Sequence, residues 1–256
     1  MAITRRALLI SNPGEVGDEH YCKGVFIDVE NYNRFLVAAH GGLWNTWEII
    51  PLERPTTNLV RDQVKALSDV DYSFIAFAGH GWFSKPDDAT VLTLRKGERI
   101  SSLELLEGAN KRTLVLDCCR EIYNETAILE RREKMALSAE GYRRRPTPQL
   151  CRNKFDEGVS TATRGVITLH SCSPGETSGD SERVGGRYTS SLIGGAVAWA
   201  DNIAGNAFDS TSHAYSTVAA HAVAEARTKS KSGGTQTPWI DKPRTERNYF
   251  PFAVFA

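Results

Sequence analysis

Short apolar runs alternate along the chain with stretches whose apolar residues fall at helical spacing, and turn-forming residues punctuate both. Ala7-Leu8-Leu9-Ile10 is the first run and predicts a buried strand, turned out at Asn12-Pro13-Gly14. Val25, Ile27, Val29, Tyr32, Phe35, Leu36 and Ala39 then predict a helix over residues 24–40, stopped by Gly41-Gly42. Residues 47–52 read as a second strand, after which Thr56 or Thr57 caps a helix carrying Leu59, Val60, Val64 and Leu67. A third run, residues 72–78, ends in Gly79-His80-Gly81. Ser84-Lys85-Pro86-Asp87-Asp88 reads as a polar turn, followed by a hairpin turning at Lys96-Gly97 and a short helix over residues 103–109. These lead to Thr113-Leu114-Val115-Leu116, whose apolar, partly β-branched character suits a buried parallel strand.

Charges and arginine clusters break the pattern over residues 121–160, which read as an exposed insert. It resumes with a strand over residues 165–169, a loop over 171–180, and helices over 188–200 and 213–226. A flexible linker over 229–237 and a closing strand over 250–255, with Pro251 at a sheet edge, complete the expected order. Strands alternating with helices across long connections predict an α/β fold, a mostly parallel sheet of about six strands with helices on both faces. One domain over residues 1–256 is expected, with 121–163 as its charged insert.

Composition removes several function classes. Lys plus Arg and Asp plus Glu number 31 each, so no net field recommends nucleic acid or an anionic membrane as partner. No segment approaches the ~20 apolar residues needed to cross a bilayer, and the run behind Arg5-Arg6 is too brief for a signal-peptide core. Five cysteines without regular spacing do not form a disulfide framework, and a reactive thiol favours a reducing, cytoplasmic compartment. Neither C-x-x-C nor H-E-x-x-H spacing occurs, so no metal or other cofactor is expected. Residues 12–17 lack the third glycine and the Lys-Ser/Thr of a phosphate loop.

The chemistry concentrates at two strand ends. The run at 113–116 ends in Asp117-Cys118-Cys119, and the run at 72–78 ends in a glycine-flanked histidine. In an open α/β sheet the carboxyl ends of strands face the ligand crevice, so a thiol and an imidazole are brought to one edge. An imidazole that takes the thiol proton makes the nucleophilic thiolate. Gly79 and Gly81 permit close backbone approach, leaving the Gly81 N–H free to face an oxyanion. His20, His40, His170, His213 and His221 compete for the role of base, but only His80 sits on a glycine-flanked strand end. A hydrogen-bonded structural histidine and cysteines used as small buried hydrophobes are the plain alternatives.

Phe77-Ala78-Gly79-His80-Gly81 followed by Leu114-Val115-Leu116-Asp117-Cys118-Cys119-Arg120 resembles the paired motifs of caspase-like cysteine peptidases, above all the metacaspase and bacterial caspase-homologue branch. Ala7-Leu8-Leu9-Ile10, residues 24–36, residues 165–178 and Thr235-Gln236-Thr237-Pro238 fall in the family's order. The resemblance implies a caspase-hemoglobinase-like three-layer sandwich, with Cys119 as nucleophile, Cys118 as its buried neighbour and His80 as base. It implies an oxyanion site of the Gly81 and Cys119 N–H groups. Asp28 and Asp117 match positions lining an acidic pocket for a basic side chain before the scissile bond, whereas Cys22 stands where caspases place an arginine for substrate aspartate. Ala78 replaces the hydroxyl residue the family carries two before its histidine, and Asp87-Asp88 is the only close acidic pair where calcium is bound in many metacaspases, so calcium is not expected to be required. The expected function is a cysteine endopeptidase cutting protein or peptide substrates after Arg or Lys, within a bacterial stress or defence pathway and under an activating protein partner. The alternative is a catalytically silent interaction module on the same fold. Caspases are activated by cutting the corresponding linker, so Arg131, Arg132, Arg143, Arg144 and Arg152 are candidate self-cleavage sites, Arg145 being followed by Pro146.

Overall fold

The computed structural model describes residues 3–18, 20–120, 145–205, 211–243 and 249–256. Its first half runs β1 (Arg5–Asn12), α1 (Gly24–Val37), β2 (Ile49–Glu53), α2 (Thr57–Ala66) and β3 (Tyr72–Gly79), then the small strands β4 (Gly81–Ser84), β5 (Ala89–Arg95) and β6 (Glu98–Ser101), and β7 (Lys111–Asp117). Its second half runs α3 (Pro148–Thr161), β8 (Gly165–His170), α4 (Arg187–Gly205), β9 (His213–Ser216), α5 (Thr217–Ser232), β10 (Trp239–Asp241) and β11 (Pro251–Phe255).

The main sheet has six strands in the order β10-β8-β7-β3-β1-β2, parallel except for antiparallel β10. Because side chains alternate across a strand, each run serves two cores. Ala7 and Leu9 face one layer with Tyr32, Phe35, Phe155 and Leu192, whereas Leu8 and Ile10 face the other with Val60, Val64 and Leu67. In β7 the same alternation sends Leu114, Leu116 and then Cys118 to the α2 side. Helices therefore cover both faces of a mostly parallel sheet, as the strand–helix alternation predicts.

The chain leaves β1 toward β2 on one side and reaches β3 on the other, which opens a crevice at the carboxyl ends of β1 and β3. Asn12 pairs with Gly79, and Ala78 with Asp117, in the ladder, so the loops leaving β1, β3 and β7 emerge side by side. Thr56 caps α2, its hydroxyl accepting the Leu59 N–H at 3.1 Å.

Several expectations are corrected. Residues 148–161 form α3, which buries Cys151, Phe155 and Val159 at i, i+4 and i+8 in the core; flanking charges obscured this stripe. Arg5, buried in β1, pairs with Asp156 at 3.2 Å and packs on Trp44 and Phe155, tying α3 to the first strand. The helix expected from residue 213 starts at Thr217, since Ser216 caps it through the Ala219 N–H and residues before it pair with β11. That helix runs into the first part of the expected linker, to Ser232, ending at Gly233 with φ 62°. The closing strand exists but pairs with β9 outside the main sheet, whose edges are β10 and β2. Residues 81–84 form a strand where no element was expected, and residues 103–109 hold one 3-10 turn over Glu104–Leu106.

Candidate active site

Gly79 has φ 150°, and a Cβ there would lie 2.5 Å from the Asn12 carbonyl oxygen, so the step into His80 requires glycine. At Gly81 a Cβ would lie 2.8 Å from the Cys118 sulfur, which explains the second glycine by crowding. Between them His80 is turned against the loop that leaves β1. Its Nε2 is buried without a hydrogen-bond partner and lies 3.1 Å from where a Gly14 Cβ would stand. Burial lowers the pKa of His80, while the backbone of His20 and Pro13 favours the protonated ring. A neutral imidazole able to accept a proton results.

Cys118 and Cys119 divide as the alternation requires. Cys118 is 2% exposed on the Leu116 face, and burial pushes its thiol pKa far up, making it inert. Cys119 is half-buried, receives the Ser178 N–H on its sulfur at 3.4 Å, and has the Ser178 carbonyl 3.9 Å away. Arg120, also buried, locks the turn after the thiol: its Nε donates to Thr90 Oγ1 at 3.0 Å, Nη1 donates to the Cys172 carbonyl at 3.3 Å, and its guanidinium lies over Phe83.

Asp28 is 2% exposed and Asp117 is 6% exposed, and both meet the amino end of α4. Asp28 Oδ1 accepts the Gly186 N–H at 2.8 Å, and among the described residues nothing donates to its Oδ2. Asp117 accepts the Thr189 N–H at 3.0 Å and hydroxyls of Thr189 and Ser178 at 2.7 and 2.6 Å. A third carboxylate, Asp180, accepts the Gly24 N–H at 3.2 Å at the start of α1. Burial raises the Asp28 pKa well above the carboxylate range, with the Asp117 and Asp180 charges adding and the Gly186 hydrogen bond opposing. The helix amino ends offset part of this concentration of negative charge. Such a cluster is an acceptor-rich site for a cation; among the described residues no three His, Cys, Asp or Glu side chains are arranged to hold a metal ion.

His20 lies beside His80, whereas the remaining histidines serve other contacts or lie elsewhere. His221 Nδ1 is 2.7 Å from the Tyr188 hydroxyl, His213 Nε2 is 2.8 Å from Thr211 Oγ1, and His40 belongs to a 3-10 turn. His170, buried at the end of β8, has its pKa lowered to about 3 by burial and then by the Arg120 and His221 charges. Arg131, Arg132, Arg143 and Arg144 lie outside the described residues. Arg152 sits inside α3 with its guanidinium on both Glu48 carboxylate oxygens, at 3.0 and 2.6 Å, and a helical backbone must unwind to enter a protease cleft. Asp180, Ser178, Arg120 and Gln236 were not singled out from the sequence; the polar residues 171–180 at the sheet edge were the available signal.

A mostly parallel sheet presenting a thiol and a histidine from adjacent strand ends defines an α/β sandwich of cysteine-peptidase type. The model of the caspase domain matches residues 4–250, and the chain belongs to this family of cysteine peptidases. Caspase-1 of Spodoptera frugiperda superposes with a TM-score of 0.55 at 15% identity, covering 94% of this chain and 87% of that one, which shows the shared fold. No curated protein sequence matches.

Proposed function

We propose that the chain is an endopeptidase that hydrolyses bonds after arginine or lysine through a Cys119–His80 dyad. The observation that carries the reading is the juxtaposition of the half-buried Cys119 thiol with the carboxylates of Asp28, Asp117 and Asp180. Asp117 is joined to Ser178, whose N–H meets the Cys119 sulfur, so the acidic floor and the nucleophile share one loop. A basic side chain reaching Asp28 would form charge-assisted hydrogen bonds in a desolvated site. Its cation would also favour the deprotonated form of Asp28, which burial alone disfavours.

In the proposed reaction His80 takes the Cys119 proton, and sulfur attacks the carbonyl carbon after the basic residue. The N–H groups of Gly81 and Cys119 receive the oxyanion. His80 then protonates the leaving amine, and water attacks the acyl-enzyme with His80 again as base. Peptides carrying a reporter amide after Arg, Lys, Ala or Asp test the specificity. Turnover after Arg and Lys and not after Asp is expected; turnover after Asp, or equal turnover of all four, overturns the basic preference.

A further inference from the structure

Gln236 lies between α5 and β10, 1% exposed, with its side-chain amide used on both ends. Oε1 accepts the Gly179 N–H at 3.1 Å and Nη1 of Arg187 at 2.9 Å. Nε2 donates to the Ser171 carbonyl at 2.9 Å and to Ser178 Oγ at 3.2 Å. Both donors and both acceptor positions are filled, so the amide has one orientation that satisfies them. Its own N–H donates to Ser232 Oγ at 3.1 Å, which seats the residue on the end of α5. Gln236 therefore grips the loop after β8 on either side of Ser178, at Ser171 and Gly179.

We propose that Gln236 is a positioning residue that holds Ser178 against Cys119, so that the Ser178 N–H stabilises the sulfur anion required for attack. Sulfur as an anion accepts a backbone N–H more strongly than a thiol does, so a donor held at 3.4 Å favours the thiolate. Holding it there is demanding, because Ser178 also spans to Asp117 at 2.6 Å and a loop free to slide would satisfy that carboxylate alone. The charged and titratable groups around this link are Asp117, Glu176 and Asp180, the Cys118 and Cys172 thiols, Arg187, and His80 as the proposed base.

The proposal rests on Cys119 being the nucleophile, and the test reads the thiol directly, so an error in substrate preference cannot imitate its failure. The rate of Cys119 alkylation by iodoacetamide, located by peptide mass mapping, is followed against pH in the full chain. Gln236→Glu keeps both acceptor contacts and loses both donors, and Arg187 offsets the new charge. The midpoint of the alkylation profile is expected to rise by about one pH unit, with alkylation below it about tenfold slower. On an arginyl reporter peptide kcat falls while KM holds. Ser178→Ala, which buries no new charge, should shift the midpoint the same way by less, and the double variant should shift no further than Gln236→Glu. An unshifted midpoint in folded Gln236→Glu overturns the proposal, as do fully additive shifts in the double variant. If Gln236→Glu does not fold, an unshifted midpoint in Ser178→Ala overturns it.

Discussion

Asp28→Asn separates pocket from scaffold more cleanly than any larger change. Asparagine keeps an oxygen where Oδ1 accepts the Gly186 N–H at 2.8 Å, and it fits the space against Gly185 and Gly186, where an added Cβ would come within 2.2 and 2.3 Å of the Asp28 and Asp117 carboxylate oxygens. What it loses is the charge and the acceptor at Oδ2. One charge-assisted hydrogen bond contributes roughly 1.5–3 kcal/mol, so kcat/KM for arginyl peptides should fall about ten- to 150-fold. Stability should hold or rise, because a buried carboxylate disfavoured by burial and by the Asp117 and Asp180 charges is replaced with a neutral amide. Steady-state kinetics on arginyl and alanyl reporters, thermal unfolding and Cys119 alkylation are measured together. The alanyl rate and the alkylation rate should be unchanged. Full arginyl activity in the variant would refute a role for Asp28 in binding the basic side chain, and parallel loss of alkylation would show that it holds the fold.

Two further outcomes follow from the burial pattern. Cys118→Ala should leave turnover nearly intact while costing about 1–2 kcal/mol of stability in urea unfolding, since it empties a packed site beside Gly81; abolished turnover with native stability would reverse the assignment of the two thiols. His170, with its folded pKa near 3, stays neutral where the unfolded chain binds a proton, so it contributes stability above about pH 6.5 that is lost as pH falls toward 3. The slope it adds approaches ~1.4 kcal/mol per pH unit inside that window, and His170→Gln should flatten the pH dependence of denaturant unfolding there; an unchanged slope would mean the ring is hydrated.

The strand ends were legible because buried parallel strands carry unbroken apolar runs, and the residues that interrupt them mark the sheet edge. Residues 72–78 and 113–116 needed no tertiary information to be read as strands whose ends carry His80 and Cys119, and the two strands are neighbours in the sheet. Alternation within β7 also separated Cys118 from Cys119 before any contact was seen. Asp180 and Gln236 were not legible, because each acts through a partner far along the chain: Asp180 through Gly24, and Gln236 through Ser171, Ser178 and Arg187. Helix α3 was missed for the opposite reason, since its local charge outweighed a narrow stripe whose buried Asp156 is paired with Arg5 of β1, far along the chain. The pairing of β9 with β11 joins segments separated by the whole of α5, and an alanine-rich window hid the strand before it.

A peptide ending in an arginyl chloromethyl ketone, incubated with the full chain and mapped by mass spectrometry, tests the nucleophile and the basic pocket together. The account predicts a single covalent adduct on Cys119 through loss of chloride, absent in Cys119→Ala, strongly slowed in Asp28→Asn, and not formed by the aspartyl ketone. An adduct on Cys118 or Cys22, or equal labelling by the arginyl and aspartyl ketones, would contradict it.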